Sequence, residues 1–114
     1  MAFYTDRVDG FQIADPTYIG LPPAGTPPTF DVVKWFQYDE PVRAIDMYSG
    51  EEKEVSEGCI VVAVLTWNRK EDSFDFRSIL MRWLEEKPTE AVVRMVLDFA
   101  EQKGKELAEQ DELR

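Results

Sequence analysis

The chain has no histidine and one cysteine among its 114 residues. Each absence excludes chemistry. Histidine is the only side chain whose ordinary pKa straddles neutral pH, and it is the commonest metal ligand. Without it there is no Ser-His or Cys-His dyad and no imidazole-bound metal. A lone Cys59 cannot close an intrachain disulfide or build a multi-thiolate zinc centre. The six glycines are too scattered to form a phosphate-cradling loop. Long apolar runs are missing too. The longest, Cys59 to Leu65, is strand-sized and far short of the roughly 20 residues that cross a bilayer. The first residues, Met-Ala-Phe-Tyr-Thr-Asp, lack the basic and apolar regions of a secretory signal. An unpaired cysteine inside an apolar run reads as a small buried hydrophobe in a reducing cytoplasm. The expectation is a cytoplasmic chain with no metal, no cofactor, no membrane contact and no enzymatic activity, although carboxylate-only catalysis stays open.

Positive charge is also in short supply. Twenty-three acidic residues face 13 basic ones, for a net charge of -10. That balance opposes non-specific attraction to nucleic acid or anionic membranes and favours a basic partner. The charge is uneven. Residues 39–57 carry seven acids against Arg43 and Lys53, whereas residues 67–87 are balanced and contain Arg69, Arg77 and Arg82.

What is present is enough for one domain with a core: 44% of residues are hydrophobic and 12% aromatic. Residues 1–29 hold five of the seven prolines and half of the glycines, which suits an extended path and no regular element. Yet Phe3, Tyr4, Phe11, Ile13, Tyr18, Ile19 and Leu21 are too apolar for a disordered linker. We divide the chain into a proline-rich arm, 1–29, lying on its own domain or on a second copy, and a domain, 30–114.

In that domain Phe30, Val32, Phe36 and Tyr38 alternate with polar residues as a strand does, with Val33 and Trp35 on the opposite face. Val42 to Tyr48 reads as a second strand, Ser49-Gly50-Glu51-Glu52 as a turn, and Val55 as part of a short third piece. Cys59 to Trp67 is rich in β-branched residues and apolar on both faces, so it is placed at the centre of the sheet. Phe74-Asp75-Phe76-Arg77 closes a hairpin with it. Ile79, Leu80, Trp83 and Leu84 suit a short amphipathic turn or helix, with an irregular strand ending as the alternative. Pro88-Thr89-Glu90 signals a helix start, Val92, Val93, Val96, Leu97, Phe99 and Ala100 form its apolar stripe, and Gly104 marks its end. The expected fold is α+β: an antiparallel sheet of about four strands packed on a C-terminal helix.

Candidate sites are few. Asp46, Glu51 and Lys53 supply the residue types of a metal-dependent nuclease, but they sit in and beside a turn, where charge is ordinarily solvated. Asp72 and Asp75 lack the spacing of a calcium loop. The hairpin from Trp67 to Arg77 is richer, with an indole, the Asn68 amide and two guanidinium groups. Rings beside arginine are how single-stranded nucleic acid is held on a sheet. Trp67, Asn68, Asp75 and Arg77, with Phe74 and Phe76 between, resemble a short motif of bacterial transcriptional coactivators that bind single-stranded DNA. That resemblance implies a sheet-borne single-stranded nucleic-acid module. The chain departs from the pattern in lacking a glycine-containing strand before the helix, in its N-terminal arm and in its acidic flanking strand.

Trp and Arg are enriched in interface hot spots, so Trp35, Trp67, Arg69 and Arg77 are taken as the partner-binding candidates. The functional expectation is a non-enzymatic protein-interaction module, of the accessory or inhibitor kind found among mobile elements, that binds a protein partner, basic or a second copy. The alternative is the nucleic-acid module.

Overall fold

The computed structural model describes residues 2–16, 25–46, 48–71 and 73–112. Among these residues four strands and one helix follow in chain order: β1 (Phe11–Ala14), β2 (Thr29–Ile45), β3 (Glu52–Arg69), β4 (Phe74–Ile79) and α1 (Glu90–Glu112). They form an antiparallel sheet in the order β1-β2-β3-β4, packed against α1. The α+β class read from the sequence is therefore the observed one.

The strands themselves differ from the expectation in two ways. The pieces expected at Phe30–Tyr38 and Val42–Tyr48 are one 17-residue strand, β2, and the piece around Val55 is the start of the 18-residue β3. Asp39-Glu40-Pro41 interrupts the apolar alternation without ending the strand. The chain absorbs it as a register shift between Gln37 and Val42, the way a pairing interruption bends a strand without breaking it. The turn at Ser49–Glu52 is present, with Gly50 at φ 72°.

The second difference lies in the N-terminal arm, where no regular element was expected. Phe11–Ala14 is β1, paired with β2 from Phe11 opposite Lys34 to Ala14 opposite Asp31. Residues 2–8 fold back over it. Val8 and Phe11 exchange both backbone hydrogen bonds at 2.8 Å, around Asp9 at φ 49° and Gly10 at φ 84°. Two consecutive positive φ values are what a type I′ hairpin turn requires, and Asp-Gly is its preferred pair. Further along, Tyr4 N–H donates to Ile13 O at 2.9 Å and Asp15 N–H to Ala2 O at 2.9 Å. Residues 17–24, with Tyr18, Ile19, Leu21, Pro22 and Pro23 of the arm, lie outside the described residues.

The core sits between the sheet and α1. Phe11, Ile13, Val32, Val62, Leu65 and Trp67 are fully buried there, and Val92, Val96 and Ala100 meet them from the helix. Phe30 joins the two layers, with edge-to-face contacts to Trp67 (5.6 Å), Phe99 (5.3 Å) and Tyr4 (5.0 Å). The helix starts where the sequence places it. Thr89 O accepts from Val93 N at 3.0 Å, and Thr89 Oγ1 accepts from Val92 N at 3.4 Å, the geometry of an N-cap. The same hydroxyl donates to Asp9 Oδ2 at 2.5 Å, tying the N-terminal turn to the helix.

The far end of the helix differs: α1 runs through Gly104 to Glu112. Gly104 faces Trp67, and a Cβ at this position would lie 3.5 Å from the indole Nε1. That is an ordinary contact distance, and glycine here does not end the helix. The buried stripe is also narrower than expected, because Val93 and Leu97 are exposed. Ile79 ends β4, and residues 80–86 form bends and turns without a helix. Among the described residues, no helix is long and apolar enough to cross a membrane.

Candidate functional site

The outer half of the β2–β3 hairpin is the most unusual surface of the molecule. Beyond Trp35 the two strands continue as a ribbon with no layer over them among the described residues. Every residue from Phe36 to Arg43 is exposed, as are Tyr48 to Glu54. The ribbon helps stretch the molecule to 50 Å along its longest axis, against 35 and 21 Å across. It coincides with the acidic segment 39–57, and apolar side chains stand among the acids. Ile45 is 66% exposed and Tyr48 wholly so. At its base Tyr38 and Phe36 stack edge-to-face at 5.2 Å across Gly58, where a Cβ would come within 2.9 Å of Tyr38 Cζ. At its tip Asp46 Oδ1 accepts from Tyr48 N at 2.8 Å and from Ser49 N at 3.2 Å. Those two bonds hold the Asp46 carboxyl below the usual carboxylate range. Asp46 is thus committed to shaping the turn, while Glu51 and Lys53 are exposed beside it.

A second exposed feature lies at the ribbon's root. The Arg7 guanidinium sits 3.8 Å from the centroid of the Trp35 ring and forms a two-pronged pair with Glu57, at 2.9 and 3.0 Å. Gln37 Nε2 adds a bond to Glu57 Oε2 at 3.2 Å. The Arg7 bond holds the Glu57 carboxyl below its ordinary value, and Glu57 in turn raises Arg7. Trp35 is half-buried beneath this pair and Phe3, with its Nε1 donating to Gln12 Oε1 at 3.0 Å. Cys59, opposite Trp35 across the ladder, is half-buried, and burial pushes its thiol pKa up.

The four partner-binding candidates are not brought together. Trp67 is fully buried, and its Nε1 donates to Ala100 O at 3.2 Å. Its ring is part of the core and offers no face to a partner or to a stacked base. Arg69 pairs with Phe74 and Arg77 with Thr66 across the β3–β4 ladder. The strand alternation therefore puts the two guanidinium groups on opposite faces of the sheet. Trp35 lies away from all three, under the N-terminal hairpin. Asp75 forms an ion pair with Lys70 at 2.5 Å. Asp72 lies outside the described residues. Among the described residues no cluster of three or more acidic or thiol groups could hold a metal ion.

Sequence reasoning found the acidic segment but not its form. Ile45 and Tyr48 fall in the strand expected over Val42 to Tyr48, with no sign in the sequence of their exposure, and Arg7 carries no local signal. The Asp9-Gly10 pair is the signal that finds the N-terminal hairpin, and with it the seat of Arg7 on Trp35.

The architecture defines a small α+β protein with a curled four-stranded sheet, one helix and a projecting acidic ribbon. Comparison with protein-family models, curated proteins and solved structures finds no match to this chain.

Proposed function

We propose that this chain is a non-enzymatic protein-interaction module, and that its β2–β3 ribbon carries the contact surface for a basic protein partner. The observation that carries the reading is the ribbon itself. A two-stranded hairpin without a covering layer is at best marginally stable in water. This one keeps Ile45, Tyr48 and Val42 in solvent among seven acids. Apolar residues set in an excess of one charge, here seven acids against Arg43 and Lys53, are the composition of a docking surface: burial supplies affinity, and charge supplies encounter rate and choice of partner. Accessory and inhibitor roles, including those in mobile elements, suit such a module. A cytoplasmic setting suits its single, half-buried Cys59.

The test is retention of lysate proteins on immobilised wild-type chain and on the Ile45→Ser/Tyr48→Ser variant. The expected result is a basic protein, identified by mass spectrometry, that binds the wild type, rebinds after purification and weakens as salt rises. The variant should retain it poorly. Retention of nothing, or of the same set on both chains, overturns the reading.

A further inference from the structure

We infer that the free edge of β4 pairs with the same edge of a second copy, giving a two-fold dimer whose continuous antiparallel sheet is registered about Phe76. This goes beyond the ribbon reading and does not depend on it, because β4 lies at the opposite side of β3 from β2.

The two outer strands of the sheet are treated differently. β1 is covered along its outer side by residues 2–8, through the bonds from Tyr4 N to Ile13 O and from Asp15 N to Ala2 O. Among the described residues β4 pairs with β3 alone. Proteins usually guard an open edge with proline, charged side chains (lysine above all), a bulge or a very short strand. β4 reads Phe-Asp-Phe-Arg-Ser-Ile: it has no proline, no lysine and no bulge, its two charges are of opposite sign, and its pairing with β3 runs without a register shift from Phe74 to Ile79.

The strand is also complementary to itself in one register only. Phe74, Phe76 and Ser78 share one face, and Asp75 and Arg77 the other. Antiparallel partners must lie on the same face, so the two-fold axis passes through a residue and not between residues. An axis at Asp75 sets that carboxylate against its own copy. An axis at Arg77 does the same with the guanidinium. An axis at Phe76 sets Asp75 opposite Arg77 of the second copy, twice over, and Phe76 opposite Phe76. Opposite charges facing each other across a strand pair stabilise it, and like charges destabilise it.

The surroundings carry apolar surface to match. A groove of about 420 Å³ runs between β4 and α1, past Phe74, Phe76, Leu97 and Gly104. A second, of about 190 Å³, continues from Phe76 and Leu97 toward Leu80 and Val93. Leu80 and Leu97 are each more than half exposed along this line. A strand added at the β4 edge brings its own Phe74 and Phe76 face to the side of the sheet on which these grooves open. The two-fold axis stands perpendicular to the sheet, so both helices remain on one side, and the two ribbons point to opposite ends of the dimer. The dimer interface is thereby isologous and closed.

The experiment is solution mass by sedimentation or light scattering, over a concentration series, for four samples of the full chain. These are wild type, Asp75→Arg, Arg77→Asp, and an equal mixture of the two variants. Wild type should reach twice the 13.2 kDa chain mass. Each variant alone faces like charge with like and should remain a monomer through most of the series. The mixture places arginine opposite aspartate at both positions and should recover the dimer, which also shows that both variants are folded. A wild type that stays monomeric overturns the proposal. So do variants that dimerise like wild type, or a mixture that does not recover. The ribbon is untouched in all four samples, so any of these failures leaves the partner-binding reading standing.

Discussion

Trp67 reaches from β3 across the core and donates its indole N–H to the Ala100 carbonyl of α1, 3.2 Å away. In a regular helix that carbonyl also accepts from residue 104. Gly104 faces the ring, and a Cβ there would meet the indole at ordinary contact distance. Sheet and helix are thus locked by a polar contact inside an otherwise apolar layer. Trp67→Phe keeps an aromatic core but loses the bond, worth roughly 0.5–1.5 kcal/mol, and part of the ring volume. The expected total is about 1–3 kcal/mol of unfolding free energy by denaturant titration. A variant as stable as wild type would show the contact to be energetically idle.

The Gly104 site gives an opposite expectation. The nearest atoms to a Cβ there are Trp67 Nε1 at 3.5 Å, Trp67 Cδ1 at 3.7 Å and Phe74 O at 3.8 Å, all ordinary contacts. Glycine inside a helix costs roughly 0.5–1 kcal/mol relative to alanine. Gly104→Ala should therefore raise the unfolding free energy by about that amount. A fall in melting temperature would mean that the helix and Trp67 are packed more tightly than these distances indicate.

The helix stripe makes a sharp contrast between neighbours. Leu97 is 56% exposed, whereas Val92 is fully buried. From sequence alone both belong to one apolar face, and Leu97→Ala would be assigned the 2–5 kcal/mol of a core truncation. With the side chain half in water, the expected cost falls to about 1 kcal/mol or less in the monomer. Val92→Ala, which opens a cavity in the core, should cost about 2 kcal/mol. Denaturant titration of both variants at low protein concentration decides the order.

The parts of this fold legible in the sequence are those written in a strong local code. The β-branched run from Cys59 to Trp67 is a strand because little else accommodates it. Thr89 is an N-cap because its hydroxyl can take an orphan helix N–H. The parts that were hidden depend on partners distant in sequence. Pro41 looks like a break, but pairing of Val42 with Val55 and of Gln37 with Glu57 carries the strand past it. Gly104 looks like a stop until Trp67 is beside it. Trp67 and Arg77 looked like one binding surface because they are close in sequence, yet alternation puts one in the core and the other on the opposite face. Asp9-Gly10 was legible all along, and it is overshadowed by the prolines that follow.

The carboxylates that secure the N-terminal hairpin and the ribbon set the response to acid. Glu57 is held below its ordinary pKa chiefly by the Arg7 bond, Asp15 by Tyr4 and the Ala2 N–H, and Asp46 by two backbone N–H groups. For each, the folded pKa lies below the unfolded one, near 4 for a free carboxylate. Their contribution is therefore present above that value and is lost as pH falls through the folded pKa, because the unfolded chain binds the proton first. Melting temperature should stay level from neutral pH down to about 5 and then decline through the carboxylate range. Glu57→Gln removes one of the three groups and breaks the tie between Arg7 and β3, 50 residues apart in sequence. It should start lower at neutral pH and fall less steeply toward acid. Added salt should narrow the difference, because the Arg7–Glu57 pair is solvent-exposed. Parallel melting curves for wild type and Glu57→Gln across the acid range would show that the pair contributes nothing to the folded state's preference for the ionised carboxylate.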